Sequence, residues 1–277
     1  MTYDFKTVCD CHCHSEWSFD GCETTDSICQ RAIQLEISVI TVTDHCEVDE
    51  WKNKNHIEFG DQTKIIPESI RHIRGSQQKY SGQIKLLCGL ELGQPVHDLV
   101  SAEKILTLDK FDFILGSIHN IRNTQDFYWL HYTEEFAKKI LYDYFLEVLE
   151  VTQWNKFDSL AHLTYPLRYI CGREKVRVDI RNYFPVIDEI FATLIRNNKA
   201  LEINTSGLRQ EISATMPDEF LLQRYRQMGG ELITVGSDAH QCKDIGSGIN
   251  EGLHILQNLG FDRYYYFEQH QPISVLL

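Results

Sequence analysis

Short apolar runs rich in β-branched residues alternate with amphipathic segments of helical length along this chain. This order constrains the fold, because neighbouring parallel strands need a crossover connection, which is usually a helix. Seven such units favour a barrel over an open sheet. The predicted strands span residues 7–14, 38–45, 84–91, 111–119, 157–163, 200–204 and 231–237, and residues 264–267 are consistent with a short terminal strand.

Helices are predicted between these strands. The clearest spans residues 133–152, and others cover 183–197, 217–228 and 248–259. One helix is capped near Thr25 or Asp26, and another is expected to have Pro67 in its first turn, where a missing N–H is tolerated. The polar segment 46–63 is long for a strand-to-helix loop, and loops of this length are usually functional or partly structured.

The length of 277 residues fits one α/β barrel, and the chain has no Pro/Gly/Ser-rich linker, so we expect a single domain over residues 1–277. The N-terminal segment MTYDFKTVCD lacks the apolar stretch of an export signal, and no run approaches the roughly 18 apolar residues of a membrane helix. We therefore expect a cytoplasmic protein with no membrane partner. Its nine cysteines are expected to be reduced and mostly buried.

The formal net charge of −13 argues against a broad surface for a phosphate backbone, although a metal cluster would add positive charge locally. We therefore expect no nucleic-acid partner. A small substrate, or one that carries a cationic group, suits this charge better. The sequence does not indicate an oligomeric state.

Six of the twelve histidines fall at or just beyond the carboxyl ends of predicted strands, and two carboxylates join them there. Parallel α/β folds place their active sites at this face, and imidazole and carboxylate ligands suit zinc, manganese and iron. The sequence therefore predicts a metal site. The eight residues are His12, His14, His45, Glu91, His119, His162, Asp238 and His240.

The first predicted strand carries two of these histidines. Side chains alternate along a strand, so His12 and His14 share a face with Asp10, while the cysteines at 9, 11 and 13 point the other way. Asp10 is expected to support the imidazoles from behind. A register slip of one residue would instead bring thiolates to the metal.

Eight or nine ligands are too many for one tetrahedral ion and suit two or three ions that share a bridging carboxylate. Such a site activates water and stabilises in-line displacement at phosphorus, with metals about 3.5–4 Å apart. Phosphoester hydrolysis is the reaction we expect. A Gly-rich phosphate loop and a Gly-x-Ser-x-Gly elbow are both missing from the sequence, which argues against nucleotide-driven transfer and serine hydrolysis.

The motifs as a set resemble the signature of the polymerase and histidinol phosphatase (PHP) superfamily across essentially the whole chain. The resemblance implies a distorted (βα)7 barrel with a trinuclear metal site at the carboxyl ends of the strands. Chain length, the lack of a polymerase body and the segment 46–63 make it similar to the stand-alone histidinol-phosphate phosphatases. The motifs are Asp10-x-His12-x-His14, Thr43-Asp44-His45, Gly89-x-Glu91, Ser117-x-His119, His162 and Ser237-Asp238-x-His240.

The resemblance also implies two or three divalent ions (Zn, Mn or Fe). The first would take His12, His14, Glu91 and Asp238; Glu91 would bridge to a second ion on His119 and His162; a third would take Asp20, His45 and His240. Asp20 departs from the family pattern, because many relatives have histidine there, and a carboxylate favours harder metals. The alternative for Asp20 is a loop residue that starts a turn.

Two arginines follow predicted strands on the same face. Arg168 and Arg209 could grip phosphate through paired guanidinium donors, and the resemblance supports both as phosphate ligands. Solvated surface positions are the alternative. Asp20 and His240 are near enough by motif to be candidates for the general acid, although an imidazole that binds a metal donates protons poorly.

The resemblance implies hydrolysis of L-histidinol phosphate to L-histidinol and phosphate, a step of histidine biosynthesis, by a hydroxide between two metals. One alternative is a PHP phosphoesterase that acts on nucleotides or oligonucleotide ends. Another is a non-catalytic, metal-stabilised interaction module. The histidines at 56, 72, 97, 131, 254 and 270 are expected to be non-catalytic.

Overall fold

This computed structural model describes residues 3–53 and 59–277. Eight strands belong to one sheet. Each overlaps one of the seven predicted strands, although the second prediction is split in two and the fifth keeps only two of its seven residues. The eight strands are β1 (Cys9–Cys13), β2 (Val39–Val42), β3 (His45–Glu47), β4 (Lys85–Gly93), β5 (Phe113–Ser117), β6 (Ser159–Leu160), β7 (Ala200–Asn204) and β8 (Ile233–Gly236).

The sheet is parallel and nearly closed. Its order is β1-β2-β4-β5-β6-β7-β8, and β3 adds to the distal half of β4. The chain just after β8 returns to β1. Asp238 N donates to His12 O at 2.7 Å, and His14 N donates to Ala239 O at 2.8 Å. These bonds bring the two edge strands together, so the predicted distorted (βα)7 barrel is confirmed.

Seven α-helices connect the strands within the described residues. Thr24, Thr133 and Asp218 cap three of them by accepting a backbone N–H, as their hydroxyl and carboxylate oxygens favour. The helices are α1 (Thr25–Gln34), α2 (Gln62–Lys79), α3 (Leu99–Ile105), α4 (Glu134–Trp154), α5 (Phe184–Arg196), α6 (Glu219–Gln227) and α7 (Ile249–Asn258).

The start of α2 differs from the prediction. The helix begins at Gln62, so Pro67 lies inside it rather than in its first turn. Proline there removes one hydrogen bond near the helix start. The buried face that includes Ile66, Ile70 and Ile73 outweighs this loss, because apolar burial stabilises each side chain by about 1.5–3 kcal/mol.

A C-terminal hairpin covers the end of the barrel where the strands begin. It consists of β9 (Arg263–Glu268) and β10 (Gln271–Leu276), which pair antiparallel. The buried Tyr264 hydroxyl donates to Thr7 O at 3.0 Å and accepts from Cys9 N at 3.1 Å. This packing leaves the carboxyl ends of the strands as the face that can hold a site.

The nine cysteines are all free thiols, six of them buried. Among residues 3–53 and 59–277, no helix is long and apolar enough to cross a lipid bilayer. The single domain over residues 1–277 stays a prediction.

Candidate metal centre

The structure brings the nine predicted metal ligands together at the carboxyl ends of the strands. Barrel geometry explains this, since parallel strands all end at the same face. The side chains form three adjoining groups of imidazoles and carboxylates. Four clusters among the described residues have the spacing that a metal ion needs: His14 with His45 and His240, His12 with His14 and Asp238, His45 with Glu47 and His119, and Glu91 with His119 and His162. Asp20 belongs to none of these four. Cysteine takes part in none of these clusters among the described residues.

The first group lies at the end of β1 and is buried. His12 Nε2 and His14 Nε2 are 3.0 Å apart, and Glu91 Oε2 lies 3.2 Å from His12 Nε2. Asp238 Oδ1 lies 3.4 Å from His14 Nε2. These four side chains are the set that the family resemblance implies for the first ion.

The second group uses the other oxygen of the same carboxylate. Glu91 Oε1 lies 2.8 Å from His162 Nε2 and 3.1 Å from His119 Nε2. The two imidazole nitrogens are 3.4 Å apart. Glu91 therefore faces both groups, one oxygen to each, as a bridging carboxylate would.

The third group is nearer to solvent. His240 Nε2 lies 3.1 Å from Asp20 Oδ2 and 3.4 Å from His45 Nε2. Asp20 also belongs to a turn, because Gly21 N donates to Ser18 O at 3.1 Å. The turn and the contact with imidazoles are thus compatible, since the turn aims the half-exposed Asp20 carboxylate at His45 and His240.

The tautomers of the first two histidines can be read from their hydrogen bonds. His12 Nδ1 donates to the carboxylate Glu202 Oε1 at 2.7 Å. His14 Nδ1 lies 3.0 Å from Ser18 Oγ, which donates its own proton to Asp44 Oδ1 at 2.9 Å and must therefore accept from the imidazole. When both rings are neutral, their Nε2 atoms present lone pairs to the same buried space. Two lone pairs 3.0 Å apart fit a shared cation, so the ligand set suits a divalent metal.

The carboxylates and imidazoles of the site shift each other's pKa values. Burial by itself raises the pKa of Glu91, but the imidazoles of His12, His119 and His45 hold it well below its usual range. Burial and the neighbouring imidazoles hold the pKa of His14 well below its ordinary value. Burial also lowers the pKa of His12, but the carboxylates of Glu202, Glu91 and Asp238 outweigh it and raise that pKa well above its ordinary value. An ionised carboxylate beside a neutral imidazole binds a metal, so a cation bound here would replace the proton of His12 Nε2.

Two buried carboxylates that the sequence analysis did not single out support the imidazoles. Glu47 Oε1 lies 3.0 Å from His119 Nδ1, and Glu202 binds His12. A signal existed for Glu202, because a charged residue in the apolar strand Ala200–Asn204 is rarely buried without a partner. The sequence places Glu47 in the polar segment 46–63, because the predicted strand ends at His45, whereas the chain continues as β3.

Asp10 lies behind the first group, where it accepts from the backbone N of His12 at 3.4 Å but forms no hydrogen bond with an imidazole of the described residues. Its carboxylate accepts from Ser237 N at 2.8 Å, Ser237 Oγ at 2.6 Å and Gly246 N at 3.0 Å. Asp10 therefore ties β1 to the segment after β8, while Glu202 orients His12.

A pocket of about 260 Å³ opens above the three groups, and both predicted phosphate-binding arginines line it. The Arg168 guanidinium lies 5.3 Å from the ring centre of Tyr165 and 5.1 Å from that of Tyr169. Within residues 3–53 and 59–277 it donates no hydrogen bond to a protein atom, so its donors are available to a ligand. Arg209 instead donates to Ser237 O and Asp238 O, each at 2.7 Å, and so holds the backbone beside a proposed ligand.

A second pocket of about 300 Å³ adjoins the first and shares some of its walls. Four carboxylates line it, those of Glu47, Asp49, Glu50 and Asp126, together with the indole of Trp129, which is 55% exposed. Burial raises the pKa of Asp126 although the nearby His119 lowers it. The surroundings of this pocket favour a cationic group, because acidic side chains and an aromatic face both attract one.

The remaining histidines lie outside the clusters that could hold a metal, as far as the described residues show. His97 binds Asp49 and Glu147, His254 binds Asp4 and His270 binds Asp158. His56 lies outside the described residues.

Comparison with known proteins agrees with this site. The chain is 29% identical to a probable histidinol-phosphatase of Thermotoga maritima, over 91% of this chain and 93% of the relative. It is 26% identical to the histidinol-phosphatase of Lactococcus lactis, over 91% of each chain. Among solved structures, histidinol phosphate phosphatase from Lactococcus lactis, complexed with zinc, L-histidinol and phosphate, superposes with a TM-score of 0.80 at 24% identity and covers 96% of this chain and 99% of its own. That likeness shows the shared fold.

The family resemblance that the motifs indicate is confirmed by a direct family match. The model of the PHP domain matches residues 10–206, which is more than half of the chain and includes seven of the nine proposed ligands. This protein therefore belongs to the PHP domain family.

Proposed function

We propose that this protein is a metal-dependent phosphomonoesterase that hydrolyses L-histidinol phosphate to L-histidinol and phosphate. The observation that carries the proposal is Glu91, whose two oxygens face two adjoining groups of buried imidazoles. Such a shared carboxylate suits a multinuclear hydrolytic centre. The relatives named histidinol-phosphatase support the choice of substrate.

The three groups define which residues would hold each ion. His12, His14, Glu91 and Asp238 would hold the first, and Glu91 with His119 and His162 the second. Asp20, His45 and His240 would hold the third. Bound divalent ions supply an activated water and neutralise charge on phosphoryl oxygens. We propose zinc for the first two, in keeping with their imidazole nitrogens and with the zinc named for the Lactococcus structure, and a harder ion, manganese or iron, as a candidate beside Asp20.

Arg168 is proposed to orient the phosphoryl group. Its guanidinium faces the pocket, and the rings of Tyr165 and Tyr169 hold its plane. A planar guanidinium can donate two parallel hydrogen bonds to phosphate oxygens. Arg209 is proposed to act at the same phosphate and also to fix Asp238 through the backbone that it binds.

The leaving group would lie toward the acidic pocket. Glu47, Asp49 and Asp126 there would attract the ammonium group of histidinol, whereas they would repel the further phosphates of an oligonucleotide. This distribution of charge favours histidinol phosphate over nucleic-acid ends. We propose that the proton taken up by the leaving alcohol passes at the exposed edge of the site, where Asp20 and His240 meet.

A substrate comparison tests the proposal. Purified protein of known metal content is assayed with histidinol phosphate, nucleoside monophosphates and short single-stranded oligonucleotides. We expect kcat/KM to be highest for histidinol phosphate by at least about tenfold, which corresponds to about 1.4 kcal/mol. Faster turnover of the nucleotides would overturn the substrate. Bound metal without turnover of any ester would favour a non-catalytic interaction module.

A further inference from the structure

A fully buried carboxylate on β7 contacts both of the first two metal groups. Glu202 Oε1 accepts from His12 Nδ1 at 2.7 Å, and Glu202 Oε2 accepts from the backbone N of His162 at 2.8 Å. Asn204 Nδ2 lies 3.3 Å from the same Oε2. Each oxygen of this one side chain therefore binds a residue that belongs to a different group.

Among the described residues, the carboxylate of Glu202 pairs with an imidazole and with no lysine or arginine. That imidazole is the ring of His12. A buried anion is strongly unfavourable unless it is paired. The imidazole of His12 connects Glu202 to the metal pocket, so a cation at His12 Nε2 would offset the charge through the ring.

The backbone of His162 needs the second contact. His162 has φ of +21°, a conformation that non-glycine residues rarely adopt. Such a backbone persists only where its surroundings hold it. The bond from His162 N to Glu202 fixes this turn and, with it, the direction of the imidazole toward Glu91.

The neighbouring strand leaves room for this arrangement. A Cβ atom at Gly236 of β8 would lie 2.4 Å from His12 Cβ and 2.6 Å from Glu202 Oε1, closer than real Cβ contacts. Only glycine at this position lets the carboxylate and the imidazole meet. The contact between Glu202 and His12 is thus accommodated by the sequence of a third strand.

We infer that Glu202 is a positioning residue that couples the first two metal groups, so that the affinity for both ions depends on this one carboxylate. The inference rests on the proposed metal centre. A carboxylate partner fixes the tautomer of a ligating imidazole and raises its basicity, and loss of such a partner weakens metal binding by about 10–100-fold.

Glu202→Gln tests the coupling. The amide keeps the size but has one acceptor oxygen, so it cannot accept from both His12 Nδ1 and His162 N. Zinc affinity is measured by competition with a chromophoric chelator, and bound ions are counted by elemental analysis. We expect two ions to bind about 10–100-fold more weakly than in the unaltered protein. Unchanged affinity would overturn the inference, and weakening of one ion alone would overturn the coupling.

Asp158→Asn is a matched control. Asp158, the residue just before β6, is also a buried carboxylate that accepts from a backbone N–H, that of Ile114, and from an imidazole, that of His270, each at 2.8 Å. It lies at the opposite end of the barrel. We expect the control to lower the unfolding midpoint while its zinc affinity stays that of the unaltered protein.

A second variant and a measurement without substrate complete the experiment. If Glu202→Gln does not fold, as judged by circular dichroism, Glu202→Asp is measured instead. Its shorter side chain keeps the charge but reaches only one of the two donors, so zinc affinity should still fall, and unchanged affinity would overturn the inference. Zinc binding is measured without substrate, so a protein that binds zinc but leaves histidinol phosphate intact would overturn the proposed function and not this inference.

Discussion

Glu91 meets His162 inside the barrel, with 2.8 Å between Oε1 and Nε2. The other oxygen of Glu91 lies 3.2 Å from His12 Nε2, on the far side of the same carboxylate. One residue of β4 thus connects ligands that are contributed by β1 and by the end of β6. The proposed multinuclear centre depends on this connection.

Replacement of Glu91 by Gln is expected to abolish more than one ion site. The amide carries no charge and offers one acceptor oxygen, so the two groups can no longer share it. We expect kcat/KM for histidinol phosphate to fall by more than the roughly 100-fold that follows loss of an outer partner of a ligand. Parallel elemental analysis should show fewer bound ions.

Glu147→Gln is the control for that variant. Glu147 is a buried carboxylate that also contacts an imidazole, that of His97, but it lies on α4 away from the pocket. It should lose some stability and keep its metal and its activity. Full activity in Glu91→Gln would contradict the bridging role.

Ser18→Ala is expected to weaken the first ion site. The Ser18 hydroxyl accepts from His14 Nδ1 and donates to Asp44, so its removal frees the tautomer of His14. Metal affinity or activity should drop by about 10–100-fold. Ser69→Ala provides the comparison, because Ser69 also donates to Asp44, at 2.5 Å, but forms no hydrogen bond with an imidazole within residues 3–53 and 59–277. Equal losses of metal affinity or activity in both variants would show that the effect comes from the lost hydrogen bond to Asp44 and not from His14.

The positions of the ligands could be predicted from the sequence, and their supports could not. His45, His119 and His240 follow strands in chain order, and a parallel barrel necessarily brings such strand ends together. Glu202 and Glu47 act through hydrogen bonds between distant strands, which depend on register. The hydrogen-bond partners of a guanidinium cannot be predicted from the sequence either. Arg209, for example, donates to backbone carbonyls.

Arg168→Met is expected to impair use of the phosphate ester. Methionine keeps much of the apolar stem but has no donors, and hydrogen bonds to charged groups contribute about 1.5–3 kcal/mol each. We expect kcat/KM to fall by about 10–100-fold while bound metal is unchanged. The matched variant is Arg173→Met, since the Arg173 guanidinium also lies over the Tyr169 ring, at 5.3 Å, but does not line the pocket. A similar loss of activity in both would argue for a structural role.

His97 is expected to make stability depend on pH. Burial lowers its pKa, but the hydrogen bonds with Asp49 and Glu147 outweigh this and raise the pKa to about 9. The pKa of an unfolded histidine is about 6.5, so the contribution of protonated His97 is fully present below about pH 6.5 and is lost as pH rises through about 9.

Urea unfolding of the protein and of His97→Gln tests this prediction. The unaltered protein should be the more stable by on the order of 1 kcal/mol at about pH 6, and the difference should shrink by about pH 9.5. A difference that does not change with pH would show that His97 is neutral throughout the range.

Metal titration tests directly whether hydrolysis depends on a multinuclear metal centre. The protein is stripped with a chelator, zinc is added back stepwise, and hydrolysis of histidinol phosphate is followed at each step. We expect background turnover without metal and full turnover once about two or three ions are bound per chain, as a multinuclear centre requires. Turnover by the metal-free protein at the full rate, or bound zinc without any turnover, would contradict this expectation.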